Sequence, residues 1–317
     1  MRLPLIHCHG SGNDFPLIDA RGLGVDPAAW PAIARALADR AGPVGGDGLL
    51  LLGDGREDGG GRSDFAMKMF NSDGSEAETC LNGLRCVARL AFERLGIDAG
   101  RAGLKQSAAT VARAADLAPG VYAVRETAGP VSLDLADWPL HAGIDRLIDA
   151  ALPPLGSARA FTAVAMPNPH LVAFVDGVDE AELVAIGTAC EAAPAWLPRR
   201  ANVSFVEVRG PDALFVRTFE RGVGLTDSCG SAMGASAYAA CLTGRMAWDA
   251  DLTVFNKGGL VGATAHPDGR VTLVGNATWE WAGSIDWDPA AGLSDLAIER
   301  RFDGEIAAWA ALANAER

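Results

Sequence analysis

Two of the six cysteines in this 317-residue chain stand in matching local sequence. Phe70 runs through Asn71-Ser72-Asp73-Gly74-Ser75-Glu76 to Cys80, and Phe219 runs through Glu220-Arg221-Gly222-Val223-Gly224 to Cys229, each cysteine ten residues after its phenylalanine. Both follow turns rich in Gly, Asp, Ser and Thr, and both open helical patterns. After the first come Leu84, Val87, Ala88, Ala91 and Leu95, spaced as one helix face that stops at Gly96. After the second come Met233, Ala237, Ala240 and Cys241, stopping at Gly244. A helix N-terminus carries unpaired N–H groups and the positive end of the dipole, so it favours a thiolate or a substrate carboxylate. The pKa of each thiol is therefore expected to fall from about 8.5 toward neutrality. A thiolate and a thiol then suit general-base and general-acid catalysis. Such a pair serves a reaction in which a proton leaves one face of a carbon and returns to the other. Cys8, Cys86, Cys190 and Cys241 lie in apolar surroundings and read as small buried hydrophobes.

The elements that must position the two thiols repeat as well. Leu17-Ile18-Asp19 ends a strand-like segment, Asp26-Pro27 caps a helix running to about Arg40, and Gly45 to Gly48 turns into the apolar run Leu49 to Leu52. In the second half His170 to Asp176 reads as a buried strand, and a helix pattern starts near Asp179. Asn13 to Asp19 and His170 to Asp176 are rough counterparts at an offset of 157 residues, against 149 for the cysteines. A boundary is expected at Ala128-Gly129-Pro130, and Glu57 to Gly61 reads as a polar hairpin tip without evident chemistry.

Composition bounds the function. The length allows two domains with sizeable cores, and 49% apolar with 21% charged residues describes a soluble globular chain. A net charge of −13 argues against nucleic acid and anionic membranes as partners. No apolar stretch is long enough to span a bilayer, and the polar His7-Cys8-His9 interrupts any signal-peptide core. The cysteines follow no disulfide or zinc spacing, so no metal is expected and a reducing, cytoplasmic location is. Gly42 to Gly48 lacks the Lys-Ser/Thr ending of a phosphate loop, and Gly222 to Gly230 lacks dinucleotide spacing. The three lysines, Lys68, Lys105 and Lys257, offer no recognisable Schiff-base setting, so no cofactor is expected.

The flanks of the cysteines carry a more specific signal. His9-Gly10-Ser11-Gly12-Asn13-Asp14-Phe15, then Asn71 to Glu76 leading to Cys80 with Asn82-Gly83 and Arg85-Cys86, then Asn168-Pro169-His170, Ala201-Asn202, and Glu220-Arg221-Gly222 leading to Cys229-Gly230-Ser231 occur in this order. From about His7 to Trp287 the chain resembles the diaminopimelate epimerase family of pyridoxal-phosphate-independent amino-acid epimerases. The resemblance implies an α/β fold of two pseudo-symmetric domains, each a curved, mostly antiparallel sheet around a central helix, with the active site in the inter-domain cleft. It implies residues 1–128 as one half, with a last strand at about 277–287 returning to it, and 129–276 as the other. Residues 288–317 form an extension, in which Ile306, Trp309, Ala310 and Ala313 suggest an amphipathic packing or oligomer helix. A homodimer is expected from the family.

The activity so implied is stereoinversion of L,L-diaminopimelate to the meso isomer, a step toward lysine and peptidoglycan precursors. Cys80 and Cys229 would act as the acid/base pair. Backbone N–H groups around Leu81-Asn82 and Gly230-Ser231 would cradle the α-carboxylate. The other amino-acid head would fall to Arg221 for its carboxylate, Glu220 for its ammonium, and the amides of Asn13, Asn71, Asn168 and Asn202. His170 would line the site or serve as a hydrogen-bonded structural histidine.

Four positions depart from the family pattern. Leu81 replaces a glycine and is expected to narrow the carboxylate cradle. Gly48 stands where a glutamine is frequent, Leu225 removes an acidic anchor, and Ala232 replaces a glycine. Three alternatives therefore stay open: a cofactor-independent racemase of another amino acid, a non-catalytic ligand-binding paralogue, and a dithiol redox protein, the last without a Cys-x-x-Cys motif in support.

Overall fold

A computed structural model of the chain describes residues 1–58, 61–77, 80–105, 107–138, 140–166 and 168–315. The chain divides into two compact units, Met1–Glu126 with Val274–Arg317, and Thr127–Leu273.

The first unit opens with an antiparallel pair, β1 (Arg2–Gly10) and β2 (Asn13–Asp19). The helix expected up to Arg40 arrives in two pieces: Asp26 caps a 3-10 turn over Pro27–Ala29, and α1 (Trp30–Ala38) follows. β3 (Gly48–Asp54) lies parallel to β2. β4 (Glu57–Asp58) and β5 (Gly61–Arg62) form the stem of the polar hairpin, whose tip lies outside the described residues. β6 (Phe65–Asn71) returns antiparallel to β3 and leads toward α2 (Leu81–Leu95). β7 (Ala99–Gly103) runs parallel to β6, β8 (Ala108–Ala114) antiparallel to β7, and within β9 (Ala123–Ala128) the chain leaves this unit.

The second unit holds β10 (Ala150–Ala151), β11 (Ala160–Met166), β12 (Asn168–Phe174), α3 (Glu180–Glu191), β13 (Asn202–Val208), β14 (Ala213–Glu220), β15 (Gly224–Thr226), α4 (Gly230–Leu242), β16 (Leu252–Asn256), β17 (Gly259–Ala265) and the start of β18 (Val271–Asn276). It repeats the first unit's pattern. The antiparallel β11/β12 matches β1/β2, the parallel β12/β13 matches β2/β3, and the antiparallel β13/β14 matches β3/β6. The parallel β14/β16 and antiparallel β16/β17 match β6/β7 and β7/β8. β2 and β12 each begin at an asparagine, so the structural counterparts are Asn13 and Asn168, two residues from the pairing that the apolar runs had suggested.

Each unit wraps its strands around one helix. α2 packs on β1, β2, β3, β6 and β8, and α4 packs on β11, β12, β13, β14, β16 and β17. The spacing of Met233, Ala237, Ala240 and Cys241 predicts a single buried face. Instead every residue from Gly230 to Cys241 is buried, as is every residue from Leu81 to Phe92 in α2. A run of Gly, Ser and Ala makes this possible in α4 by letting strands approach on all sides, and at Gly234 a Cβ would collide with Met166. α2 ends where the sequence says it should: Gly96 takes the left-handed conformation (φ 68°) and its N–H closes on the Phe92 carbonyl. α1 and α3 cover the outer faces, with Trp30, Ile33 and Leu37 on Leu49 and Leu51, and Leu183, Ile186 and Cys190 on Leu171 and Phe205.

The chain returns to the first unit through β19 (Thr278–Asp288), antiparallel to β1, and β20 (Gly292–Arg301), antiparallel to β19, and ends in α5 (Asp303–Ala315). Glu305 of α5 grips the Arg89 guanidinium of α2 with both oxygens, at 2.6 and 2.9 Å. Trp309 is buried against the His9 ring. Among the described residues no helix is long and apolar enough to cross a membrane.

Candidate active site

Cys80 is the N-cap of α2. Its backbone is extended (φ −151°, ψ 105°) and its Sγ accepts the Gly83 N–H at 3.3 Å, the position a serine or aspartate oxygen usually holds. A Cβ at Gly83 would press on the end of the Leu50 side chain, which would have to shift to admit it. The same sulfur reaches Asn13 Oδ1 at 3.8 Å, as S–H donor. Asn13 turns its Nδ2 to Asp47, and Asp47 also accepts the Asp14 N–H at 3.2 Å and Arg40 at 2.7 Å. Arg40 holds both oxygens of Asp14, at 2.8 and 2.6 Å. Burial would push the Asp14 carboxyl up, but the Arg40 guanidinium outweighs it and keeps that carboxyl below the usual range.

In the first turn of α2, Asn82 is buried with its Oδ1 on Arg85 at 2.7 Å. Arg85 is wholly buried. It pairs with Glu126 at 2.7 Å and also donates to Ser11 Oγ and the Asn276 carbonyl. Burial outweighs Arg85 in its effect on Glu126, whose carboxyl rises to about 7. Asn71 is used differently: its Nδ2 donates to Ser75 Oγ at 2.9 Å and its N–H to the Ser75 carbonyl, closing the turn after β6. Leu81 is buried at the first turn of α2.

In the second unit Cys229 is the N-cap of α4 and is 7% exposed. Its sulfur lies 3.5 Å from Ser231 Oγ, beside a crevice lined by Thr218, Thr226, Ser228 and Asn256. Glu220, at the end of β14, accepts the Thr226 hydroxyl at 2.5 Å and lies within hydrogen-bonding reach of the thiol. The expected fall of this pKa is corrected: burial pushes the Cys229 thiol well above its ordinary value, and the Glu220 charge adds to it. The Ser231 hydroxyl and the Ala232 N–H pull the other way, and the helix terminus loses to desolvation.

A second polar chain runs alongside. His170 and Asn202 face each other across the parallel β12/β13 pair, His170 Nε2 lies 3.1 Å from Asn168 Oδ1, and Asn202 Oδ1 accepts the Arg221 N–H at 2.8 Å. The Arg221 guanidinium donates to the Arg199 carbonyl at 3.2 Å. Burial, with Arg221 nearby, drives the His170 pKa down to about 3, so the ring is neutral. Its buried Nδ1 has no hydrogen-bond partner among the described residues.

Of the residues singled out in sequence, the first unit joins Asn13 to Cys80 and sets Leu81 and Asn82 on the following turn, while Asn71 serves its own turn. The second unit joins Glu220, Gly230 and Ser231 to Cys229, and Asn168, His170, Asn202 and Arg221 to one another. Two departures gain physical reasons. At Gly48 a Cβ would collide with the Phe70 carbonyl across the strand pair, and Leu225 pairs with Phe219 and packs on the core beneath α3. Sequence reasoning gave no role to Asp47, Arg85 or Asn256. Arg85 carried a signal, a charge inside the apolar run Leu84 to Ala88, but its partner Glu126 lies 41 residues away.

A family model described as diaminopimelate epimerase matches residues 6–110 and 162–280. A diaminopimelate epimerase of Clostridium acetobutylicum is 37% identical over 314 residues, covering 96% of this chain and 92% of its own. One of Enterococcus faecalis is 40% identical over 293 residues, covering 88% and 87%. The share covered in the Clostridium match is too large to leave out all of residues 288–317, so that relative has a counterpart to part of β20 and α5. Among solved structures, a PhzF-family phenazine biosynthesis protein of Bacillus anthracis aligns with a TM-score of 0.62 at 13% identity, covering 90% of this chain and 99% of its own. A hydroxyproline epimerase of Agrobacterium vitis aligns with a TM-score of 0.60 at 14% identity, covering 99% and 98%. These two share the fold.

Proposed function

The chain belongs to the diaminopimelate epimerase family, and from that premise we propose that it converts L,L-diaminopimelate to the meso isomer with Cys80 and Cys229 as its two proton carriers. The observation that carries the reading is the repeated one: each unit presents a thiol as the N-cap of a helix buried on all sides over its first three turns, at equivalent points of the same topology. Inversion needs a base for one face of the α-carbon and an acid for the other. Cys229, held protonated by burial and Glu220, is the acid toward the meso product, and Cys80, with the Gly83 N–H on its sulfur, is the base. In the reverse direction the roles exchange.

The carbanion needs donors already aimed at the α-carboxylate. The N-terminal N–H groups at Leu81-Asn82 and Gly230-Ser231 supply them. Arg85 supports this by holding the side-chain Oδ1 of Asn82, which fixes that side chain in the first turn of α2. Glu220 sits beside Cys229, so it is better placed for an ammonium next to the reacting carbon than for the distal one. Asn168, Asn202 and Arg221, linked to one another, suit the distal head, with neutral His170 beneath them as a positioning residue. Asn71 acts through the shape of its turn. The chemistry uses no cofactor, the reducing cytoplasm keeps both thiols available, and the family's dimeric form is proposed for this chain.

The test is incubation with L,L-diaminopimelate beside single-headed amino acids such as proline and glutamate, followed by chiral separation. Formation of meso-diaminopimelate alone supports the assignment. Racemisation of a single-headed amino acid with none of diaminopimelate would move it to a related racemase.

A further inference from the structure

The structure assigns Asp47 as a positioning residue: it fixes the side-chain amide of Asn13 so that the carbonyl oxygen, and not the NH2 group, faces the Cys80 sulfur. The inference rests on the proposed acid/base role of Cys80. A carboxylate offers acceptors alone, so the end of Asn13 bonded to Asp47 Oδ2 must be the Nδ2 donor. The other end, Oδ1, is then the atom 3.8 Å from Cys80 Sγ. Asp47 is itself held in place. Arg40 donates to its Oδ1 at 2.7 Å, the Asp14 N–H to its Oδ2 at 3.2 Å, and its own N–H donates to the Asp14 carbonyl at 2.8 Å.

The consequence is chemical. The Gly83 N–H on the sulfur favours the thiolate, whereas an oxygen acceptor facing the sulfur favours the thiol. Asn13 therefore holds the proton on Cys80 until an ammonium group claims that oxygen; the partly buried thiol then gives its proton to solvent, and the thiolate stands ready with substrate in place. The charged groups around this corner are Asp47, Asp14 and Arg40, His7 and Glu280 behind Asp14, and Arg85 further along α2. Of these, Asp47 is the one bonded to Asn13. Without it the amide is free to turn and offer NH2 to the sulfur.

The pH dependence of Cys80 alkylation by iodoacetamide, followed by peptide mass mapping, tests this without needing turnover, so failure of the functional assignment would be seen separately in the substrate assay. Asp47→Ala is expected to move the midpoint down by about one pH unit, at low salt and at 1 M salt alike. Asp47→Glu, which keeps the acceptor, should stay near the parent midpoint. Asp47→Asn should move in the same direction as Asp47→Ala and provides a near-isosteric variant should the alanine chain fold poorly. In an Asn13→Ala background the Asp47 substitutions should no longer move the midpoint. A shift that persists in that background, or that vanishes in high salt, would make Asp47 a through-space charge and overturn the assignment, as would an unchanged midpoint in both Asp47→Ala and Asp47→Asn.

Discussion

The Cys229 thiol sits where two effects oppose each other. The start of α4 offers it the Ala232 N–H and the Ser231 hydroxyl, while burial and the Glu220 carboxylate disfavour its charge and prevail. The motif made the location legible in the sequence. It did not make the burial legible, because a cysteine after Gly-Asp-Ser turns looks the same whether the helix it caps is exposed or enclosed. The proton stays on this sulfur at neutral pH, which suits a donor. His170 shows the same dominance of burial. Its folded-state pKa of about 3 lies below the ordinary 6.5, so as pH falls the unfolded chain takes up the proton first. Stability contributed by neutral His170 is thus complete above about pH 6.5 and is lost as pH falls toward 3, by at most about 1.4 kcal/mol per unit. Urea unfolding between pH 7 and 4 should show a shallower acid loss in His170→Gln than in the parent chain. Parallel curves would mean that the ring titrates alike in both states.

At the scale of elements, the two capped helices were legible because turn chemistry, a cysteine and an apolar run recur together. Their surroundings were less so. Met233, Ala237, Ala240 and Cys241 suggested one face, but the intervening Gly, Ser and Ala residues are buried too, and small residues carry little periodic signal. The two-residue slip between Asn13 and Asn168 has a similar origin, since the apolar run made His170 the start of the second strand and left out the polar Asn168 that begins it. Leu225 looked like a lost anchor because its partner Phe219 and the core beneath α3 are not adjacent in sequence. α5 is the clearest element to test. Arg89, nearly buried in α2, lies over the rings of Tyr122 and Trp279 at 4.3 Å and pairs with both oxygens of Glu305 and, at 3.1 Å, with Glu93. Removing residues 303–317 should cost about 2 kcal/mol by taking away the two-oxygen partner and leaving the guanidinium with the more exposed Glu93 alone. Calorimetry should register this as a melting point lower by several degrees, partly recovered by Arg89→Met. An unchanged melting point with an altered assembly state by size exclusion would instead make α5 an oligomer contact.

For the whole molecule, the repeated topology matters more than any one motif. One order of parallel and antiparallel pairs occurs twice, with a covering helix and an enclosed helix each time. The first unit is completed by residues from both ends of the chain, since β19 pairs with β1. Two copies of one scaffold, with a thiol at the same point of each, suit the proposed step, which needs two like groups in unlike states. The central claim is that these thiols are separate proton carriers, and the measurement that tests it is turnover of unlabelled L,L-diaminopimelate in heavy water, stopped at low conversion and read by mass spectrometry and NMR. The account predicts deuterium at the inverted carbon of the meso product from the first turnover, almost none in the remaining L,L substrate, and loss of inversion in both Cys80→Ala and Cys229→Ala. A product that retains the substrate's own proton, or full inversion by either variant, would mean that one group serves both faces and would contradict it.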